Sequence, residues 1–328
     1  MRVASLLPSA TEILFAIGAG DVLVGRSHEC DHPAAATAAP VLTAARVANT
    51  GADPHDAARA AADPAAIDAQ VRASLAEGRS LYTLDEAALR DLRPDVILTQ
   101  DLCEVCSIDL AAVQRVAHTL PHRPRVVSLN PTTIWQVLDD VLAVGEAVGR
   151  ADAAQHAATQ LRDRLWTASE QGSPFTDGPS VLFLEWTDPP FVGGHWTPEL
   201  ITLAGGRHPL NPAGAKSRVA TPAELAASAP DRIVVAPCGL PLPAVRACMP
   251  ALAAQPWWND LPAVRAHRAA LAAGRPSDAV MLVDGNAMFN RPGPRLVDAL
   301  EWLAAWINAR PEIAPRGFPA EAWVPGRA

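Results

Sequence analysis

The sequence predicts an α/β protein built as two lobes with one long helix between them. Three observations predict this fold class. Short β-rich runs alternate with helical patterns in both halves of the chain. A length of 328 residues is enough for two hydrophobic cores. Residues 132–170 contain neither proline nor a turn cluster. We therefore expect a first lobe over 1–131, a connecting helix over 132–170, a second lobe over 171–328, and a ligand cleft between the lobes.

The first lobe begins with a strand, a helix and a second strand. The runs "RVASLL", "DVLVGR", "DVILTQ" and "RVVSL" are typical of strands. Between the first two runs, "PSATEILFAIG" predicts a helix with Ser9 as its N-cap and Glu12 as the partner in a capping box. The stretch between Cys30 and Tyr82 lacks clear periodicity, so we expect loop and short helix there.

The middle of the chain predicts a helix of unusual length. Apolar residues recur at helical spacing from Ile134 to Leu165. A helix of nearly forty residues would be about 55 Å long, more than one compact domain usually holds. The segment therefore predicts a strut that joins the lobes, with a bend near Gly149.

The second lobe repeats the pattern of the first. Strands are predicted at "SVLFLEW", "RIVVA" and "AVMLVD", and helices are predicted from about 197, 221, 242 and 293. Thr221 and Glu224 form a second capping-box pattern, with Pro222 at the first helical position.

Chemically distinctive residues follow the predicted strands. The segments "SHECDHP", "DLCEVC", "TDPPFVGGHW", "PCG" and "GNAMFNRPGPR" each come directly after an apolar run. In open α/β sheets the ligand crevice lies off the carboxyl ends of the strands. These loops are therefore expected to line one cleft between the lobes.

Three cysteines and a histidine suggest a metal site. Cys103 and Cys106, with Cys30 and His28 from a neighbouring strand end, would supply three or four soft ligands for zinc or an iron-sulfur cluster. The alternative is that Cys106 is a small buried residue and Cys103 a loop thiol, and the sequence favours neither. A redox disulfide is less consistent with the pattern, because a thioredoxin-like CxxC opens a helix in a different context.

Two loops of the second lobe suggest a binding surface. The segment that contains Trp186, His195 and Trp196 combines aromatic side chains with paired glycines, which suits a large planar ligand. Asp284 and Arg291 lie in a turn-rich segment before the last helix. The alternatives are that Trp186 and Trp196 fill the interface between the lobes and that the last segment is an ordinary strand-to-helix loop.

Composition excludes some classes of partner. The formal net charge is -8 and Lys216 is the only lysine, so no basic stripe could follow a nucleic acid backbone. Charged residues interrupt every apolar run, so no membrane span is expected. The N-terminal residues lack the pattern of a signal peptide, which predicts a cytoplasmic protein.

The order of these motifs resembles a known family. "RVASLLPSATEILFAIGAGDVLVGRSHECDHP", "SLNPTTIWQV", "VLFLEWTDPPFVGGHW", "SRVATPAEL" and "DRIVVAPCG" are similar to the substrate-binding proteins of ABC importers that have a single long interdomain helix (class III), especially the cobalamin-binding branch. The resemblance spans most of the chain. It implies two Rossmann-like lobes, a rigid helical hinge and a metal chelate held in the cleft.

The resemblance also implies which residues bind ligand. The family's ligand contacts fall on Glu29, Gln100, Trp186, Thr221, Asp284 and Arg291, to which we add Ser9 and His195 as candidates. Tyrosine or tryptophan expected at several of these places is replaced by Glu29, Gln100 and Thr221, so the aromatic lining is reduced.

The sequence thus predicts a binding protein for a corrinoid (cobalamin-type) or another metal chelate. The alternative is a catalytic or sensing metal site at Cys30, Cys103 and Cys106. Since delivery outside the cytoplasm needs export, the expected location argues against an ABC permease as a partner. The oligomeric state is left open.

Overall fold

The computed structural model describes residues 1–46, 63–77, 80–101, 110–172 and 177–326. Cys103 and Cys106 lie outside the described residues. The structure confirms the predicted fold class, since each of two lobes contains a sheet with parallel central strands and flanking helices. The connection between the lobes differs from the expected single helix.

The first lobe has a four-stranded parallel sheet in the order β2-β1-β5-β6. Its strands are β1 (Val3–Ser5), β2 (Leu23–Arg26), β5 (Val96–Thr99) and β6 (Arg125–Ser128). A small antiparallel pair, β3 (Thr43–Ala45) and β4 (Tyr82–Leu84), lies beside β2. The helices are α1 (Pro8–Ala16), α2 (Pro64–Ala76), α3 (Glu86–Leu92) and α4 (Leu110–Thr119).

Helix α1 begins differently from the sequence-based expectation. Its N-cap is Leu7, with no hydrogen bond from a capping side chain, and Pro8 is the first helical residue. Glu12 is not used in a capping box, because its carboxylate binds Arg295 of the second lobe instead. Ser9 is therefore an early helical residue and the predicted cap is wrong.

The connecting segment is a hairpin of two helices. Helix α5 (Ile134–Ala147) follows β6, and α6 (Ala151–Ser169) runs back alongside it. The rings of Trp135 and Trp166 lie 5.7 Å apart, whereas 31 residues of continuous helix would separate them by about 46 Å. The single helix over 132–170 is thus corrected to a hairpin, and α6 is the helix that leads to the second lobe.

The turn of the hairpin explains why the helix does not continue. Gly149 has φ +66°, its N–H donates to the Glu146 carbonyl, and the Arg150 N–H donates to the Gly145 carbonyl. These two bonds form a Schellman motif, which ends a helix at a left-handed glycine. Gly145 then allows close packing, because any Cβ there would overlap Ala154 of α6.

The second lobe has a six-stranded sheet in the order β12-β11-β10-β7-β8-β9. Three of its strands are parallel to one another: β7 (Val181–Thr187), β10 (Arg232–Val235) and β11 (Val280–Val283). The outer strands are antiparallel to their neighbours: β8 (Pro190–Val192), β9 (Arg218–Val219) and β12 (Ala320–Ala322). The helices are α7 (Thr197–Leu203), α8 (Pro222–Ala227), α9 (Leu242–Ala253), α10 (Pro256–Asp260), α11 (Pro262–Ala272) and α12 (Leu296–Ile307). The capping box at Thr221 and Glu224 is confirmed.

The lobes share a hydrophobic core. One cluster of buried residues includes side chains of β1 and α1, of both hairpin helices, and of β7, β11 and α12. Arg164 of α6 also binds Asp298 and Glu301 of α12. The hairpin is therefore packed against both lobes along its length.

Charged side chains join the lobes at the strand ends. Asp31, which follows β2, accepts two hydrogen bonds from Arg291 of the second lobe at 2.5 and 3.1 Å, and Asn286 donates to the same carboxylate at 3.2 Å. Glu12 binds Arg295. Arg291 is 6% exposed and Glu12 is 4% exposed, so these contacts lie inside the molecule.

Replacing Gly145 with alanine should destabilise the hairpin. The added methyl group would overlap Ala154, and overpacking of this kind costs about 1–3 kcal/mol. Urea unfolding followed by circular dichroism measures the loss. Glu146→Ala, at the neighbouring exposed position, should change the free energy of unfolding by less than about 0.5 kcal/mol. Equal effects of the two substitutions would contradict the close packing.

Replacing Asp31 with asparagine should destabilise the protein at pH 7 but much less in acid. Burial alone would raise the pKa of Asp31, but the hydrogen bonds and charge of Arg291 outweigh burial and hold the pKa below its usual value of 3.8. The carboxylate therefore contributes stability above about pH 4, and this contribution is lost as the pH falls through the folded-state pKa. Loss of a hydrogen bond to a charged group costs roughly 1.5–3 kcal/mol.

Unfolding midpoints in urea at pH 7 and pH 3 measure this dependence. Asp21→Asn is the control, since Asp21 forms an exposed 3.6 Å ion pair with Arg150 that should contribute little. A difference between Asp31→Asn and the original protein that stays constant with pH would refute the assignment.

Candidate functional site

The site is formed where the strand ends of the two lobes meet. Strands β1, β2, β5 and β6 end on one side of the first lobe, and β7, β10 and β11 end on one side of the second. The contacts of Asp31 and Glu12 with Arg291 and Arg295 join these two sides. Gly293 also packs against Ser9 of α1, since a Cβ at Gly293 would lie 3.3 Å from the Ser9 Cα and Cβ. The strand ends of the lobes therefore face each other.

Arg291 and Ser9 both lie at this junction. Arg291 binds Asp31 with two hydrogen bonds, and its Nη1 lies 3.6 Å from Glu12 Oε1. Burial opposes the charge on Arg291, but Asp31 outweighs burial and raises the pKa of the guanidinium. The arginine is thus charged and committed to a carboxylate of the other lobe.

Glu29 and Gln100 lie at the ends of first-lobe strands. Glu29 is half-buried in the loop after β2, and its N–H donates to Ser27 Oγ at 3.3 Å. Gln100 follows β5 directly and is 6% exposed. Both residues therefore lie at the edge of the first-lobe sheet where its parallel strands end.

His28 and Cys30 occupy different surroundings in the first lobe. His28 Nδ1 lies 2.7 Å from Thr43 Oγ1, and its ring packs near Tyr82. The Cys30 thiol is fully buried, accepts a hydrogen bond from Thr11 Oγ1 at 3.0 Å, and has a pKa raised by burial to about 12. A thiol with that pKa stays protonated at neutral pH, whereas a metal ligand is a thiolate.

The expected zinc or iron-sulfur site is therefore not supported. Within the described residues, no group of three or more His, Cys, Asp or Glu side chains could hold a metal ion. Cys30 is buried between β1 and α1, where its thiol contacts Thr11 and Ser5.

Two candidate binding residues in the second lobe, Thr221 and Asp284, stabilise the local backbone. Thr221 is exposed, and its side chain caps α8 by accepting from the Glu224 N–H at 3.2 Å. The Asp284 carboxylate accepts from the N–H groups of Leu242 and Asn286 at 3.1 and 2.9 Å, while burial raises its pKa. Both side chains stabilise loop and helix ends.

Trp186 lies where the first lobe reaches the second. Its indole N–H lies 3.2 Å from the Pro64 carbonyl of α2 and 3.1 Å from the Asp188 carbonyl. Ile67 of α2 is 3% exposed and belongs to the core cluster of the second lobe. Helix α2, which the sequence did not predict at this length, therefore bridges the lobes beside Trp186.

His195 and Trp196 follow strand β8. The two rings stack, with centroids 5.4 Å apart, and the Trp196 indole N–H donates to the Phe289 carbonyl at 2.7 Å. Burial, and then the charge of Lys216, lower the pKa of His195. His195 is thus a neutral imidazole at pH 7, while Trp196 fills the lobe interior.

Sequence reasoning missed the acidic partners of the arginines. Glu12 was assigned to a helix cap, and Asp31 was noted only as one residue of the "SHECDHP" loop. For Asp31 the available signal was its position in the loop that follows β2, since such loops face the second lobe. No short-range pattern distinguished Glu12, which lies inside α1. The described residues contain no helix that is both long and apolar enough to cross a membrane.

Solved structures with the same architecture include several binding proteins. The periplasmic vitamin B12 binding protein of Vibrio cholerae aligns with a TM-score of 0.61 and 19% identity, covering 95% of this chain and 98% of that one. The periplasmic heme-binding protein of Roseiflexus sp. RS-1 aligns with a TM-score of 0.65 and 21% identity, covering 94% and 98%. At these identities the likeness shows the fold.

Sequence relatives include vitamin B12-binding proteins from strains of Vibrio cholerae serotype O1. One is 25% identical over 208 residues, which is 62% of this chain and 59% of the relative. The match therefore spans about three fifths of the length of the relative.

The sequence profile of a family described as "Periplasmic binding protein" matches residues 3–272. This finding overturns the expected cytoplasmic location, because that family and the similar solved proteins are extracytoplasmic. Because the match covers residues 3–272, the chain belongs to the periplasmic binding protein family.

Proposed function

We propose that the protein is the substrate-binding component of an ABC importer for a metal chelate of the corrinoid or heme type. The family match and the B12-binding and heme-binding relatives support a chelate as the substrate class. A similar solved structure is an ABC transporter substrate-binding protein of Listeria monocytogenes, which supports a permease as the partner. The chelate would bind between the lobes, at the facing strand ends.

The placement of Trp186 is the observation that carries the proposal. The side chain is half-buried at the end of β7, and its indole N–H is oriented by the Pro64 and Asp188 carbonyls. An aromatic face held in one orientation offers a planar macrocycle a large apolar contact at little cost in side-chain entropy. The junction also holds Glu29 and Gln100, which could bind the polar groups at the edge of such a ligand.

The remaining candidate contacts have smaller roles in this proposal. Arg291 contributes through the charged junction that it forms with Asp31, which fixes the distance between the lobes. Thr221 and Asp284 act through the local structure that they stabilise. A ligand therefore meets mainly neutral and aromatic groups on the second lobe.

Titration of the purified protein with aquocobalamin and with hemin, followed by absorbance and calorimetry, tests the proposal. We expect saturable 1:1 binding of at least one of them. Trp186→Ala should weaken binding by about tenfold or more, because truncation of a central aromatic contact typically costs more than 1 kcal/mol. Trp186→Phe should retain most of the affinity.

The matched control is Trp166→Ala. Trp166 is 54% exposed on α6 and packs on Trp135, at the open end of the hairpin. Its replacement should leave affinity unchanged. Absence of binding at high micromolar ligand, or equal affinities for both tryptophan variants, would count against the proposed site.

A further inference from the structure

Helix α2 packs on the lobe to which it does not belong by sequence. In the chain it lies between β3 and β4, which pair with each other in the first lobe. Its Ile67 is 3% exposed and belongs to the apolar cluster of the second lobe, against which Val71 also packs. Neither of the other two buried clusters of the described residues contains a residue of α2. The helix therefore crosses the junction and docks on the second lobe.

The docking position lies at the carboxyl end of β7. Trp186 is the second-last residue of that strand, and its indole N–H lies 3.2 Å from the Pro64 carbonyl at the start of α2. The N-cap of α2 lies near α9, because burial, and then the charge of Asp63, raise the pKa of Cys248 in α9 to about 12. Helix α2 thus covers the second lobe beside the place where the strand ends face each other.

The face of α2 that holds it to the second lobe is narrow. Pro64 and Ile67 are buried and Val71 and Leu75 are half-buried, a spacing of three or four residues that puts them on one side of the helix. The positions 65, 66, 69, 70, 72, 73 and 76 are exposed. By contrast, the hairpin of α5 and α6 is embedded in the core that both lobes share. The attachment of α2 is therefore the weaker of the two.

The polar groups of α2 are satisfied within the helix itself. Asp63 Oδ1 accepts hydrogen bonds from two N–H groups of the first turn, at 3.0 and 3.5 Å. Asp68 and Arg72, four residues apart, form an ion pair at 2.5 Å. Both contacts move with the helix, so α2 can leave the second lobe without separating a charged pair.

The polar contact between α2 and the second lobe can also be broken at little cost. Among the described residues, it is the hydrogen bond from Trp186 to Pro64, and the indole N–H keeps a second acceptor in the Asp188 carbonyl at 3.1 Å. Separation of Asp31 from Arg291, by contrast, would leave charged groups buried without partners. Of these two interlobe contacts, that of α2 is the easier to release.

We propose that α2 is a releasable strap, which covers the site beside Trp186 and undocks from the second lobe to admit the chelate. The ion pairs and the hairpin oppose separation of the lobes, so release of one helix gives access with less rearrangement than opening of the whole cleft. The inference rests on the proposed function and deepens it, because it assigns the step that limits ligand entry and exit. An undocked helix of 13 residues is marginally stable in water, so release also exposes its amides to exchange.

Ile67→Asp tests the release, because it places a carboxylate in the apolar contact and favours the undocked state. Hydrogen–deuterium exchange of the full-length protein without ligand is followed by mass spectrometry. The amides of α2 should exchange about tenfold faster than in the original protein, and those of β10, inside the second lobe, should be unchanged. Gln70→Asp is the matched control, since it introduces the same residue at an exposed position of the same helix. Its α2 amides should exchange within about twofold of the original rate.

Stopped-flow absorbance with hemin and with aquocobalamin tests the role in ligand entry. Ile67→Asp should raise the association rate constant about tenfold, because the observed rate scales with the fraction of molecules in the receptive conformation. Dissociation should be faster as well, and Gln70→Asp should follow the original protein. Ile67→Ala, which shortens the apolar contact without adding a charge, should shift exchange and association in the same direction, and it replaces Ile67→Asp if β10 loses protection in that variant.

The outcomes separate the inference from the function on which it rests. Equal exchange of α2 in the variants at Ile67 and Gln70 overturns the release of α2. Faster exchange in the Ile67 variants with unchanged association rates overturns the role of α2 in ligand entry, while the binding function stands. If neither the original protein nor any variant binds hemin or aquocobalamin, the proposed function falls, and the entry role falls with it.

Discussion

The ion pairs between Asp31 and Arg291 and between Glu12 and Arg295 are the constraint on which the arrangement of the lobes depends. Removing charges from water is costly, and a buried pair recovers that cost only with good geometry and further hydrogen bonds. Here Arg291 makes two bonds to Asp31, and Asn286 binds the same carboxylate. A displaced lobe would leave these groups buried without partners. The pairs therefore fix one relative position of the lobes.

The helical hairpin acts together with these pairs. At the strand ends the lobes are joined by charge, and elsewhere they share one apolar cluster with α5 and α6. Gly145 allows the two hairpin helices to approach closely. Gly149 ends α5, so that the chain can turn into α6. Because packed cores have discrete arrangements and do not deform continuously, two separate attachments oppose a wide hinge motion.

The sequence predicted most local features and few distant ones. The strands, the capping box at Thr221 and the helices of the second lobe follow from short-range patterns. Gly149 was identified as a bend, but its Schellman motif reverses the chain, and only contacts between residues such as Trp135 and Trp166 reveal that. Glu12 matched a local capping rule, yet Arg295, 283 residues away, binds it. One sequence contains no information about such pairings, so the interlobe contacts could not be derived from it.

The ion pair between Arg291 and Asp31 affects which ligands the cleft can bind. A ligand carboxylate or phosphate that approached this arginine would have to displace Asp31, which is tied to the opposite lobe and backed by Asn286. Displacement would also weaken the contact that holds the lobes together. Arg291 is thus a poor site for recognising anionic ligand groups. Under the proposed function, selection on the second lobe then falls to uncharged groups such as the oriented indole of Trp186. Under the proposed function, a flat aromatic surface favours a planar macrocycle over a small charged solute.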